Sequence, residues 1–257
     1  MPAVAGRLPP LALAYHGVAD VPLRRDPHRL FVRPRDLERH IRRLERWGYR
    51  LVTFGELAAR AASGGAAGNA ALTFDDGLAD NATAMRDVVE RAGVPATVFV
   101  VSGWLGGSHP RAPWARLLDA DEVRALDEAG IEIGSHTSTH ADLARAGHDA
   151  ALGELARGKA ELEAIVGHGV EVVAYPFGSA SAEAMRACAS AGFRAACRTS
   201  GRGSWDDPFG LPRQDMDNRC TAAGFALKRR GWYEPLVATP PGRLVRRAVR
   251  ATRGALG

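Results

Sequence analysis

Two carboxylates stand side by side in Asp75-Asp76-Gly77, and two imidazoles stand four positions apart at His136 and His140. One Asp oxygen with two imidazoles makes a three-ligand set for zinc or a similar divalent ion, with positions left open for water and substrate. One turn of helix or a tight loop aims residues so spaced at a single point. In the H-E-x-x-H arrangement a Glu follows the first His and acts as base, but here Thr137 holds that position. The base must come from elsewhere, and whichever Asp is not a ligand is the natural candidate. His16 leaves an apolar run just before Gly17, an exit that can point a side chain into a site. Blander readings exist for each: Asp-Gly is a common turn pair, His136 to His140 could be a Ser/Thr-rich loop capping a helix from about Ala141, and His16 could be a solvated loop histidine.

The elements that must position these residues follow from pattern. Ala71-Leu72-Thr73-Phe74 reads as a buried strand ending at the Asp pair, with Gly77 free to bend the chain so that both carboxylates face one crevice. Leu11 to Tyr15, Tyr49 to Thr53, Ala96 to Val101, Ile131 to Gly134, Val170 to Ala174 and Phe193 to Ala196 read as further strands. Between them the spacing predicts helices over Pro34 to Trp47, Phe54 to Ala62, Asp80 to Ala92, Ala120 to Ala129, Ala151 to Val166 and Ala182 to Ala191. His40 lies among charged residues of the first helix and is taken as structural. Alternating strand and helix implies an α/β fold with a mainly parallel sheet. The chemistry-bearing residues sit just after strands, as at the C-terminal rim of a barrel or open sheet.

Composition narrows the classes. A chain of 257 residues, 46% hydrophobic and 25% charged, can bury a full core. No apolar run spans a bilayer and the start does not resemble a secretion signal, so a cytoplasmic protein is expected. Cys188, Cys197 and Cys220 form no C-x-x-C pair and read as packing residues. The net charge of +5 and isoelectric point near 9.5 come without a nucleic-acid motif, and no nucleic-acid partner is expected. The arginines concentrate only after Lys228, at Arg229, Arg230, Arg243, Arg246, Arg247, Arg250 and Arg253. That stretch could be a basic amphipathic helix touching anionic lipid, peripherally at the inner membrane face, or a solvated tail.

Thr73-Phe74-Asp75-Asp76-Gly77 and Ser135-His136-Thr137-Ser138-Thr139-His140 resemble the first two motifs of the polysaccharide deacetylases, the NodB-like carbohydrate esterases of family four. The likeness runs from Tyr15-His16 through Gly93 to Val100 and on to Tyr175-Pro176-Phe177-Gly178, up to about Arg213. It implies a distorted (β/α) barrel with about seven parallel strands, a catalytic domain over residues 1–225 and a basic tail over 226–257. It also implies metal-dependent removal of acetyl groups from an N-acetylated glycan, whether polymeric, oligomeric or lipid-linked. Carried over by position, Asp75 is the base and Asp76, His136 and His140 hold the metal, most simply zinc, with cobalt or nickel as alternatives. Phe177 follows Pro176 where the family supplies an oxyanion N–H, beside Tyr175.

Two departures matter. Ala174 stands where many members place an Arg that pairs with the catalytic Asp, and Arg213 in Leu211-Pro212-Arg213, after a late strand, is the candidate replacement. The late Leu-x-His of the family is missing, since no histidine follows His168; family branches with an early Tyr-His pair fill this role from the N-terminus, so the resemblance of Tyr15-His16 implies His16 as the candidate general acid, a role that suits an imidazole near neutrality. Trp104 and Trp114 flank a loop containing His109 and could form a sugar-stacking wall, with packing as the other reading. The rival functions are a non-catalytic sugar-binding or scaffold protein retaining the fold, and an iron oxygenase built on two His and one carboxylate.

Overall fold

A computed structural model describes residues 8–200, 203–231, 233 and 236. The chain begins with β1 (Leu11–Tyr15), the short parallel pair β2 (Gly17–Val18) and β3 (Phe31–Val32), α1 (Pro34–Arg46), β4 (Arg50–Val52), α2 (Phe54–Ala62) and β5 (Asn69–Phe74). It continues through α3 (Ala84–Ala92), β6 (Thr97–Val100), the hairpin β7 (Ser108–His109) and β8 (Ala112–Arg116), α4 (Ala120–Glu128) and β9 (Glu132–Ser135). The last elements are α5 (His148–Val166), β10 (Val172–Ala174), α6 (Ala182–Ser190), β11 (Ala195–Cys197), β12 (Gln214–Asp215) and α7 (Ala222–Arg229). Local chemistry sets several helix starts. Pro34 occupies the first turn of α1, Thr53 caps α2 by accepting from the Glu56 N–H, and Asp119 with Glu122 forms a reciprocal capping box on α4.

The main sheet is parallel throughout and runs β11-β10-β9-β6-β5-β1-β12, with β4 alongside the start of β5. Residues 211–215 bring the two ends together. Leu211 bridges to Cys197 of β11, and Gln214 and Asp215 pair with Leu13 and Ala14 of β1. The fold is therefore a distorted (β/α) barrel, and each strand turns alternate side chains to opposite faces. Leu11, Leu13, Leu72 and Phe74 face outward into the helices. Ala12, Ala71, Phe99, Val172, Ala174 and Cys197 form a second cluster on the inner face. The interior is narrow enough to dictate small residues: a Cβ on Gly134 would lie 2.5 Å from the ring of Phe99, so that position must be glycine while Phe99 fills the barrel.

Some boundaries differ from expectation for identifiable reasons. The helix expected from Asp80 begins as a 3-10 turn, Ala79–Ala82, broken at Thr83 (φ −126°, ψ −89°) before α3 starts. No helix forms at Ala141; a loop runs to α5, which starts at His148. Arg213 follows the late strand β11 and stands immediately before a further short strand, β12, that the sequence does not signal. The hairpin β7–β8 is not expected from the sequence, because Pro110 and Pro113 interrupt any alternation there. α7 runs through the boundary drawn at 225 and 226, with Phe225 buried against His40 and Trp47. The remainder of the basic tail, from Arg243 onward, lies outside the described residues. Among the described residues no helix is long and apolar enough to cross a membrane.

Candidate active site

Thr73 and Asp75 are two positions apart on and just beyond β5, so both turn to the inside of the barrel. Arg213 reaches them from the closing segment. Its Nη1 donates to Asp75 Oδ1 (2.6 Å) and Thr73 Oγ1 (2.8 Å), its Nη2 to Asp75 Oδ2 (2.8 Å), and its Nε to the Arg198 carbonyl (3.3 Å). The guanidinium lies 5.2 Å from the centroid of Phe99 and is 0% exposed. Burial works against a charge on Asp75, but the Arg213 charge and its paired hydrogen bonds outweigh it and hold the carboxyl below its ordinary range.

Asp76 would point the other way in a continuing strand. It takes a left-handed conformation instead (φ 72°), followed by Gly77 (φ 70°), so the bend expected of the glycine alone is shared with the carboxylate itself. The turn brings Asp76 Oδ1 to 3.4 Å from both His136 Nε2 and His140 Nε2. One ligand atom from each of these three residues lies within 4.8 Å of the others. His136 Nδ1 is 2.7 Å from the Ala174 carbonyl oxygen. A carbonyl only accepts, so Nδ1 carries the proton and Nε2 of the neutral ring presents its lone pair toward Asp76. Asp76 Oδ1 is buried and has no hydrogen-bond partner. An orphaned carboxylate oxygen between two imidazole nitrogens is costly by itself, and a divalent cation satisfies all three at once. The donor set, one oxygen and two nitrogens, suits zinc and its neighbours.

Without a cation the same groups share protons. Burial is the largest influence on both imidazoles, yet the contact with Asp76 and the charge of Asp75 push His136 above its ordinary value, while burial and the charge on His136 leave His140 lowered. Burial also opposes charge on Asp76, but the surrounding imidazoles hold it well below the usual carboxylate range.

The histidine loop is clamped from several sides. The His136 N–H donates to the Val100 carbonyl (2.8 Å), the Gly103 N–H to that of Ser138 (2.8 Å), and the His140 N–H to Thr137 Oγ1 (3.0 Å). Glu161 on α5 accepts from the hydroxyls of Ser102 and Ser138. A Cβ on Gly158 of α5 would stand 2.7 Å from the Thr137 carbonyl carbon, so the helix presses its backbone onto the loop. Of the six described non-glycine residues with positive φ, Asp76, Thr137, His140 and Phe177 are four. Their clustering here marks a place where packing sustains local strain.

His16 sits at the rim with Nε2 3.8 Å from Asp76 Oδ2, its side chain one-third exposed (33%). Phe177 (φ 58°) is 50% exposed, its ring edge-on to His140 at 4.7 Å and covered by the Arg111 guanidinium at 5.4 Å. Trp104 stacks on His140 at 4.9 Å, whereas Trp114 stacks on Phe31 and sits under Arg25. Tyr175 requires a correction. Its ring is fully buried and its hydroxyl donates to the Phe209 carbonyl (3.0 Å), so the side chain belongs to the core and presents no group to a glycan. Sequence reasoning missed the contact of His109 Nε2 with Asp76 Oδ2 at 2.9 Å. Its position in the loop leaving β6 on the site-bearing rim was the available clue.

A parallel barrel with two carboxylates and a cluster of imidazoles gathered at one end defines an α/β barrel with a candidate metal centre. The chain belongs to the polysaccharide deacetylase family, whose pattern matches residues 64–196, just over half its length. It is 31% identical over 124 residues to a chitin deacetylase from Pestalotiopsis sp., covering 48% of this chain and 39% of that protein. Over 123 residues it is 26% identical to YxkH of Bacillus subtilis, covering 48% of this chain and 42% of that one. The chain thus aligns with less than half the length of these curated relatives. In fold it is similar to the Streptococcus pyogenes deacetylase PplD, with a TM-score of 0.74 and 18% identity over 87% of this chain and 99% of the other.

Proposed function

We propose that the protein is a metal-dependent hydrolase that removes acetyl groups from N-acetylated amino sugars of a poly-, oligo- or lipid-linked saccharide. The observation that carries this is the pairing of two unlike carboxylates. Asp76 faces His136 and His140 with an unpartnered oxygen, while its neighbour Asp75 is kept charged by Arg213. A binding protein has no use for an ionised base beside a ligand set. Asp76, His136 and His140 hold the cation, which when bound polarises the amide carbonyl and acidifies a water. Asp75 takes the proton of the attacking water, because its charge is fixed by Arg213 and its buried position excludes competing solvent. The Phe177 N–H donates to the developing oxyanion, a role supported by its following Pro176 in a turn of positive φ. His16, at the same rim and partly open to solvent, donates a proton to the departing amine nitrogen.

The test is acetate release from a panel of N-acetylated glycans, with and without a chelator, for the full chain and for Asp75→Asn. Release that disappears with chelator, returns with Zn2+, Co2+ or Ni2+, and falls by about 10²–10⁴ in Asp75→Asn is expected. Glycan binding by the metal-loaded protein with no release from any of the panel would assign it instead to the sugar-binding alternative.

A further inference from the structure

The two oxygens of Asp76 face different partners. Oδ1 faces His136 and His140, while Oδ2 is 2.9 Å from His109 Nε2. The proton of His109 can be located from its other nitrogen. Nδ1 accepts from the Arg111 backbone N–H at 3.1 Å, so Nδ1 holds a lone pair and the proton is on Nε2, pointed at Asp76. This is the opposite tautomer from His136, whose Nδ1–H donates to the Ala174 carbonyl. His109 is therefore a donor to the carboxylate and has no lone pair to offer a cation.

Its place is rigid. His109 is buried on the β7–β8 hairpin, with Trp104 edge-on at 5.7 Å. The hairpin is moored to the Asp-Gly turn itself: Leu118 N–H donates to the Gly77 carbonyl (2.8 Å), Gly106 N–H to that of Leu118 (2.9 Å), and Leu78 bridges Leu117. The same turn that strains Asp76 into place thus also carries the hairpin that restrains its outer oxygen.

We propose that His109 is a positioning residue which, by donating its Nε2 proton to Asp76 Oδ2, commits that carboxylate to bind the cation through Oδ1 alone and thereby sets the affinity of the Asp76–His136–His140 site. This rests on the metal-site reading above. Hydrogen-bond partners of metal ligands fix ligand orientation, and their loss costs about 10–100-fold in affinity.

The experiment measures Co2+ binding to the full chain by competition with a chromophoric chelator, together with the visible absorption spectrum of bound Co2+. His109→Phe keeps a ring in the hairpin but removes the donor; His109→Gln keeps a side-chain N–H. The expected result is a loss of about 10–100-fold in His109→Phe with an altered Co2+ spectrum, and recovery of most of that loss in His109→Gln. Wild-type affinity and spectrum in His109→Phe would overturn the proposal, and so would equal losses in the Phe and Gln variants, the result of a packing role. Should His109→Phe fail to fold, His109→Asn, too short to reach Asp76, is scored the same way. His136→Ala separates the two readings: if it binds Co2+ as well as wild type does, the metal site itself is refuted, whatever His109 does.

Discussion

Arg213 and Asp75 meet inside the barrel as a fully buried, two-pronged ion pair, with N–O separations of 2.6 and 2.8 Å. Such a pair is expensive to break from one side. Arg213→Met leaves an unpaired charge in the core and is expected to cost about 3–5 kcal/mol, read by urea denaturation. Adding Asp75→Leu removes the stranded charge and should recover most of the loss, so the double variant is far more stable than the sum of the two singles. Additive losses would show that the two groups are not coupled.

His16→Ala is expected to lower kcat by about 10²–10⁴, the contribution of a positioned proton donor. Co2+ affinity should be unchanged, because His16 faces the outer oxygen of Asp76 from 3.8 Å and is not among the ligand atoms. Turnover close to that of wild type would take His16 out of the reaction.

His40 is buried beneath α7, its Nδ1 3.0 Å from the Tyr15 hydroxyl, and burial lowers its pKa from 6.5 to about 4. The unfolded chain therefore binds a proton that the native state refuses between those values. Stability from this residue is complete above about pH 6.5 and is lost as pH falls toward 4, a difference of at most about 3 kcal/mol. Asp80, raised to about 6 mainly by burial, works in the opposite sense between pH 3.8 and 6. The informative quantity is accordingly wild type minus His40→Gln, which should grow with pH across 4 to 6.5. A flat difference would place the acid sensitivity elsewhere.

Two glycines of α5 should respond to alanine with opposite signs. Gly153 is exposed, and a methyl added there would have nothing within 4 Å, so alanine gains about 0.5–1 kcal/mol from helix propensity. At Gly158 the same methyl meets the backbone of Thr137 and Ser138 at 2.7 and 2.9 Å. Gly158→Ala should destabilise and weaken Co2+ binding by displacing the histidine loop. Chemical denaturation and the chelator assay check both.

Much of this is legible in the sequence. The strands and most helices follow from apolar runs and 3.6-residue spacing, because a barrel buries its strands on both faces and its helices on one. The gathering of Asp75, Asp76, His136 and His140 follows from their positions at strand ends. What cannot be read there depends on non-local pairing. Arg213 is one arginine among many in the sequence, and only the bridge of Leu211 to Cys197 and the pairing of Gln214 with Leu13 turn it inward. Tyr175 lies within a rim motif, yet its rotamer takes it to Phe209 and the core. His109 stands just before Pro110 in a hairpin held by contacts to Gly77 and Leu78, so its partner is invisible to periodicity.

The order in which the chain supplies these groups has its own consequence. Asp75, Asp76, His136 and His140 all lie on the amino-terminal side of the guanidinium that pairs with Asp75, which arrives only with the segment sealing β11 to β1. During synthesis the imidazoles and carboxylates leave the ribosome first, and Asp75 stays without its counter-charge until the last strand seats. Under the proposed function, hydrolytic competence is thereby tied to completion of the barrel, and a nascent chain halted before residue 213 would carry the proposed ligands but not the partner of the proposed base.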